Sequence, residues 1–135
     1  MTAGFATEEL AEAWIEGDAS ARWRSAGGHG PQQGAVASGS SLLEVAAGCR
    51  LPRHSDSAEE TIVVVEGAAA VTIGADRTVV PAGGVALVPA DVPHEVENAG
   101  PATLRFVAVY ADTDVVTTYA ADVQPDGSRE RRPLG

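Results

Sequence analysis

The fold of this chain is decided by two stretches, GCRLPRHSDSAEETIVVVEG at residues 48–67 and GGVALVPADVPHEVEN at residues 83–98. Each stretch begins at a glycine and contains a short run rich in valine, a residue type that packs well on the pleated surface of a β-sheet. Each also carries histidine and acidic side chains beside the apolar residues. The two stretches therefore predict short strands that bring metal-ligating residue types to the edge of an apolar interior.

Four residues in these stretches are candidate metal ligands. Side chains at positions i and i+2 of a strand point to the same face, so His54 and Asp56 are predicted to project together. Glu60 shares the apolar face of the next strand, whereas Glu59 faces the other way. His94 begins a later strand. If the sheet curls into a barrel, His54, Asp56, Glu60 and His94 can meet at one point and bind a divalent metal ion.

The same pattern of short β-like runs continues on both sides of the two stretches. Valine, isoleucine and threonine dominate these runs, and glycine and proline separate them. Many short strands with closely spaced turns predict an all-β sandwich or barrel, which we place at residues 34–120. A length of 135 residues fits a single domain that spans the whole chain, residues 1–135.

The two ends of the chain are expected to lie outside the barrel. Thr7 can cap a short helix over residues 8–16, and Gly17 can end it, so we predict an N-terminal helical extension within residues 1–20. Residues 124–135 are polar and contain proline, glycine and a small arginine cluster. We expect this segment to be a flexible, solvated tail.

Composition excludes some classes of partner. The formal net charge is −10, with only nine basic residues, which argues against nucleic acid because phosphate binding depends on Lys and Arg. No apolar run is long enough to cross a bilayer, and we expect no membrane partner. Cys49 is the only cysteine, so no intrachain disulfide is possible and we expect a cytoplasmic protein.

The spacing of the polar residues matches a known pattern. The chain reads Gly48-x5-His54-x-Asp56-x3-Glu60-x6-Gly67 and later Gly83-x5-Pro89-x-Asp91-x2-His94-x3-Asn98. This resembles the paired motifs of the cupin superfamily, G-x5-H-x-H-x3,4-E-x6-G and G-x5-P-x-G-x2-H-x3-N, with every spacing kept. Two positions depart from the pattern: Asp56 replaces a histidine, and Asp91 replaces a glycine.

The resemblance implies a double-stranded β-helix, or jelly-roll barrel, that holds one divalent metal ion (Fe, Mn, Zn or Ni) on His54, Asp56, Glu60 and His94. Two carboxylates in this set can neutralise the ion, whereas the three histidines and one glutamate of the family leave it a net positive charge. We therefore expect a weaker Lewis acid, and a higher pKa of bound water, than is usual in the family.

Function is predicted less sharply than fold, because cupins include dioxygenases, sugar isomerases, polyketide cyclases, decarboxylases and plain binding proteins. We expect a metal-dependent enzyme that oxygenates, cyclises or isomerises a small, largely apolar organic molecule. The expected pocket walls are Ile62, Val64, Val96, Phe106 and Tyr110. A non-catalytic ligand-binding or accessory cupin is the alternative of a different class, and the Asp56 replacement favours it.

A second enzyme class shares part of the pattern. Fe(II)/2-oxoglutarate oxygenases also use H-x-D with a later histidine, which His54, Asp56 and His94 would supply, and Arg105 could bind the cosubstrate carboxylate. This alternative requires Arg105 to face the cavity, although its neighbours Leu104 and Phe106 predict that it faces outward. Small cupins commonly pair through exposed edge strands, so we also expect a homodimer.

Overall fold

The computed structural model describes all residues 1–135 and consists of strands and turns, with one 3₁₀ turn at Pro31–Gln33 and no α-helix. No helix in it is long and apolar enough to cross a bilayer. The strands are β1 (Ala11–Ile15), β2 (Asp18–Gly27), β3 (Gly39–Val45), β4 (Arg50–Asp56), β5 (Glu60–Glu66), β6 (Ala68–Ile73), β7 (Asp76–Pro81), β8 (Val85–Val88), β9 (His94–Asn98), β10 (Leu104–Tyr110), β11 (Thr117–Val123) and β12 (Ser128–Arg131).

The strands form two halves that are joined by one short pairing. One half has the order β8-β5-β10-β3-β2-β1, and the other has the order β7-β6-β9-β4-β11-β12. A short parallel pairing of Ala21 in β2 with Arg50 in β4 connects them. All other pairings are antiparallel, and consecutive strands repeatedly cross between the halves. This all-β jelly-roll barrel is the fold class that the sequence predicts.

The core lies between the two halves and follows the alternation of the strands. In β10, Leu104, Phe106, Ala108 and Tyr110 are buried and the intervening residues are only partly covered. Ile62 and Val64 of β5 meet them from the neighbouring strand. Residues at even positions of these strands therefore face the interior, as period-two alternation requires.

The prediction of an N-terminal helix over residues 8–16 is wrong. This segment forms β1, which pairs with β2 through contacts such as Ala13 opposite Trp23. Gly17 does not end a helix; with φ at +84° it allows the tight turn from β1 to β2. A helix of nine residues is marginal in isolation, so pairing with a long neighbouring strand and burial of Ala13 decide the conformation.

Residues 124–135, expected from the sequence to be a flexible tail, contain β12, which pairs with β11. Beyond β12, Arg132 forms an ion pair with Asp114, and Ser41 donates a hydrogen bond to the carbonyl of Pro133. Leu134 packs against the core. The barrel strands also extend beyond residues 34–120, since β2 begins at Asp18. The polar composition of the C-terminal segment was misleading because its backbone hydrogen bonds and one leucine attach it to the sheet.

Candidate metal centre

Four buried side chains converge inside the barrel: His54, Asp56, Glu60 and His94. Their ligand atoms all lie within 4.8 Å of one another. The sheet brings them together because His54 in β4 is directly opposite His94 at the start of β9, while Asp56 lies two residues further along β4. Glu60 approaches from β5, in the other half of the barrel. The structure thus brings together all four candidate ligands, and Glu59 is exposed, as predicted.

Both imidazoles are oriented by the backbone. Nδ1 of His54 lies 2.7 Å from the carbonyl oxygen of Pro52, and Nδ1 of His94 lies 2.9 Å from that of Val92. Because a carbonyl can only accept, each Nδ1 carries the proton and donates it. Each Nε2 therefore faces the cluster, which is the arrangement by which second-shell hydrogen bonds orient metal-ligating histidines.

The donor atoms suit a divalent cation. Nε2 of His94 lies 3.0 Å from Glu60 Oε1 and 3.2 Å from Asp56 Oδ2. Adjacent ligands at right angles on an ion with bonds of about 2.1 Å are about 3 Å apart, so these separations fit one ion. Asp56 Oδ1 accepts a hydrogen bond of 2.6 Å from Thr117, but Asp56 Oδ2 is buried without a hydrogen-bond partner. A buried, unpartnered carboxylate oxygen is costly unless a cation binds it.

The ionisation of these groups reflects their burial and proximity. Burial lowers the pKa of His54 to about 4, and the nearby charge of His94 adds to this effect. Burial raises the pKa of Glu60 to about 7. Burial opposes the charged form of His94 as well, but its contacts with Asp56 and Glu60 outweigh burial and raise its pKa. Burial likewise favours a protonated Asp56, yet contacts with His94 lower the pKa of that carboxyl. The cluster is an electronegative site that favours positive charge at its centre.

A cavity of about 230 Å³ reaches the cluster. His54, Asp56 and Glu60 line its inner end. Three aromatic residues, Trp23, Tyr110 and Tyr119, line the cavity together with two leucines. The C-terminal residues Arg131, Arg132 and Pro133 also line it. Trp23 and Tyr119 stack with their ring centroids 5.4 Å apart, and Tyr119 also contacts the ring of His54. The cavity thus connects the four-residue cluster with an aromatic wall.

The pocket walls that the sequence predicts are mostly elsewhere. Tyr110 lines the cavity, but Ile62, Val64, Val96 and Phe106 do not. These four residues are 0–1% exposed and pack in the core. Their alternation correctly placed them on the inner face, but it could not say how far along the barrel the core ends and the cavity begins.

Four residues at this site were not predicted from the sequence: Trp23, Thr117, Tyr119 and Arg131. Thr117 and Tyr119 lie on β11, which pairs with β4 beside His54 and Asp56. Trp23 lies on β2, and Arg131 lies on β12. The alternation of Thr117, Tyr119 and Val123 is a strand signal, but no local signal could show which strand they pair with.

Arg105 does not reach the cavity. It pairs with Glu44 at 3.0 Å and also with Glu66, on the outside of the barrel. Leu104 and Phe106 on either side of it are fully buried. The interpretation as an Fe(II)/2-oxoglutarate oxygenase required this arginine to bind a cosubstrate beside the metal, and the structure contradicts that requirement.

Comparison with protein families agrees with the geometry. The family described as "Cupin domain" matches residues 41–110, which is more than half of the chain and contains all four clustered residues. The chain belongs to the cupin family. No curated protein matches the sequence of this cupin. The resemblance to the cupin superfamily, predicted from the spacing of the two motifs, is therefore confirmed.

Solved structures share the fold of this cupin. The Cnp3 cupin domain of Schizosaccharomyces pombe aligns with a TM-score of 0.65 at 17% identity, covering 81% of this chain and 72% of that one. A variant of the oxalate decarboxylase of Bacillus subtilis aligns with a TM-score of 0.59 at 26% identity, covering 68% and 26%. A structure of the same decarboxylase, described by its Mn(II) centres, aligns with a TM-score of 0.59 at 22% identity, covering 74% and 28%. This cupin spans about a quarter of the length of those decarboxylases.

Proposed function

We propose that this cupin binds one divalent metal ion on His54, Asp56, Glu60 and His94 and acts as an enzyme on a small organic molecule. The observation that supports the proposal is the convergence of four buried side chains, whose ligand atoms lie within 4.8 Å of one another and three of which line a cavity. Oxygenation and ring closure or isomerisation are the reactions that we favour. A small cavity limits the substrate to a molecule about the size of a single ring.

The choice of metal follows from the ligands. Two carboxylates favour the harder divalent ions, and two imidazoles suit Mn, Fe, Ni and Zn. The Mn(II) centres of the structurally similar Bacillus subtilis oxalate decarboxylase support Mn among these candidates. An ion held here would supply Lewis-acid polarisation of a substrate oxygen, or redox chemistry if it is Fe or Mn.

The residues of the chain have separate roles in this proposal. The carbonyls of Pro52 and Val92 fix the two imidazoles, and Thr117 fixes one oxygen of Asp56. Tyr119 covers His54 and, with burial raising the pKa of its hydroxyl, stays neutral. The aromatic wall excludes water from the inner end of the cavity and positions a flat or apolar substrate against the cluster.

Replacing His94 with glutamine tests this proposal, and replacing His29 with glutamine is the matched control. His29 lies outside the cavity, where its ring contacts Ser38 and Ser40. After reconstitution with Mn²⁺, Fe²⁺, Zn²⁺ or Ni²⁺ and gel filtration, elemental analysis is expected to find one ion per chain in the wild type and in His29→Gln. His94→Gln is expected to retain little metal. Wild-type protein that stays empty with all four ions would refute the proposed centre.

Non-catalytic ligand binding is the second candidate function, and the presence of Asp56 favours it. Two carboxylates neutralise the ion and reduce its ability to polarise a substrate. The two functions are separated by a screen of the metal-loaded cupin against small organic molecules. Oxygen uptake or product formation supports the enzyme, whereas ligand-induced thermal stabilisation without turnover supports the binding protein.

We also propose a homodimer that pairs through the edge strand β8. This strand pairs only with β5, and its Val85 and Leu87 are 65% and 58% exposed. Exposed apolar residues on an open edge favour association. Light scattering is expected to give a dimer mass for the wild type and a monomer mass for Leu87→Glu. Val36→Glu, at an exposed position in a loop, is the control and is expected to stay dimeric.

A further inference from the structure

One arginine in this cupin has no partner. The chain has nine basic residues, all arginine, and eight of them form an ion pair or hydrogen bond within the protein. The side chain of Arg131 forms none, and its Nη1 is buried. A buried guanidinium nitrogen without a hydrogen-bond acceptor destabilises the folded protein. We therefore expect a bound molecule to supply the acceptor.

The sheet places Arg131 on the same face as the metal centre. Arg131 in β12 lies directly opposite Thr117 in β11, and Thr117 lies directly opposite Asp56 in β4. Directly opposite residues project to the same side of a sheet, and the hydrogen bond from Thr117 to Asp56 shows this side to be the interior. Two strand spacings separate the Cα atoms of Arg131 and Asp56 by about 10 Å. Both residues line the same cavity.

The two buried, unpartnered side-chain atoms of the protein therefore face one cavity and have opposite charge preferences. Asp56 Oδ2 has no hydrogen-bond partner, and Arg131 Nη1 lacks an acceptor. The metal ion of the proposed function would satisfy the first atom. It would not satisfy the second, which needs an anion or a carbonyl oxygen.

We propose that Arg131 binds the carboxylate of a small organic acid whose other end lies at the metal centre. This inference rests on the proposed function and names its substrate class. A guanidinium matches a carboxylate in shape as well as charge. The neighbouring Arg132 is engaged by Asp114 at 2.7 Å, so one guanidinium is available, which suits a monocarboxylate.

The rest of the cavity restricts this acid further. A volume of about 230 Å³ would hold about eight water molecules at roughly 30 Å³ each, which leaves room for a single ring with one short substituent. Trp23 and Tyr119 provide a flat aromatic wall in the same cavity. The substrate is thus an aromatic or similarly compact acid, which refines the expectation of a largely apolar molecule by giving it one anionic end.

The net charge of the protein makes this site selective. At −10 overall, the protein repels small anions, so weak anion binding over its surface is suppressed. An anion that binds must be held by a local cation. Arg131 is the cavity residue that can do so without first breaking an ion pair.

Titration with benzoate and benzamide tests the inference, because the two molecules have similar shape and differ in charge. Calorimetry uses the Mn²⁺-loaded protein as wild type, Arg131→Met, Arg131→Lys and the control Arg129→Met, whose residue is exposed on the same strand. The wild type is expected to bind benzoate about tenfold to a hundredfold more tightly than benzamide. Arg131→Met is expected to lose this preference, Arg131→Lys to keep part of it, and Arg129→Met to keep all of it.

Separate Mn²⁺ titrations of the same proteins distinguish failure of this inference from failure of the proposed centre. If the wild type binds no Mn²⁺, the proposed function fails, and the benzoate preference of the metal-free protein then decides the role of Arg131. Equal benzoate affinity in wild type and Arg131→Met would overturn the inference, as would a wild type that binds no benzoate or does not prefer it to benzamide. If Arg131→Met does not fold, Arg131→Lys and the wild-type preference decide the result.

Discussion

Replacing Glu60 with glutamine is expected to remove most of the stability that a divalent metal ion gives to this cupin. The ion binds only the folded protein, so it stabilises the wild type by about 2.7 kcal/mol at a concentration of about 100 times its Kd. Loss of a second-shell partner already costs about 10- to 100-fold in metal affinity, and Glu60 is a direct ligand in our proposal. At the same concentration, a 100-fold loss reduces the stabilisation to about 0.4 kcal/mol.

The measurement is the metal-induced change in unfolding free energy, determined separately for each protein by urea denaturation with and without the ion. Comparing each variant with itself removes any effect of the substitution on the metal-free protein. Glu59→Gln is the matched control, because Glu59 is the exposed neighbour of the buried Glu60. It is expected to behave as the wild type. If Glu60→Gln is stabilised as much as Glu59→Gln, Glu60 is not a ligand.

Replacing Phe106 with alanine is expected to destabilise the protein by about 3–5 kcal/mol, whether or not metal is bound. Phe106 is fully buried and belongs to the core cluster rather than to the cavity wall. Removing its ring therefore leaves an internal void in addition to the lost burial. At about 4 °C per kcal/mol, the melting temperature is expected to fall by about 12–20 °C.

The adjacent pair Val64 and Val65 provides the control for this prediction. Val64 is 1% exposed and faces the core, whereas Val65 is 46% exposed. Val64→Ala is expected to cost about 2 kcal/mol or more in unfolding free energy, and Val65→Ala less than about 1 kcal/mol. A small loss in both Phe106→Ala and Val64→Ala would mean that these residues line an open pocket, as their sequence positions first suggested.

The N-terminal segment shows why part of the fold could not be predicted from the sequence. Thr7, Gly17 and the residues between them fit a short helix, because capping and turn preferences are local properties. The strand β1 forms instead because β2 lies beside it and supplies its backbone hydrogen bonds. That pairing depends on β2 also being held by β3, which is not a local property.

The four candidate ligands were predictable from strand geometry and from the spacing of the two motifs, although their convergence depends on the closure of the barrel. His54 and Asp56 share a face by strand geometry alone, and the spacing to Glu60 selects it over Glu59. The walls of the cavity were not predictable in the same way. Alternation along β5 and β10 shows which residues face inward. The position along the barrel at which the packed core gives way to the cavity depends on how the two halves of the barrel pack.

The sequence by itself determined three things: the resemblance to cupins, the residues of each strand that face inward, and the four candidate ligands. It could do so because the period of a strand and the spacing of a motif are properties of residues close together in the chain. Only the tertiary structure decided that Tyr119 and Arg131 belong to the same site. Thr117 and Asp56, whose hydrogen bond aligns these strands, are 61 residues apart in the chain. Contacts between residues so far apart in the chain depend on sheet pairing and core packing, so they cannot be predicted from the spacing of residues in the sequence.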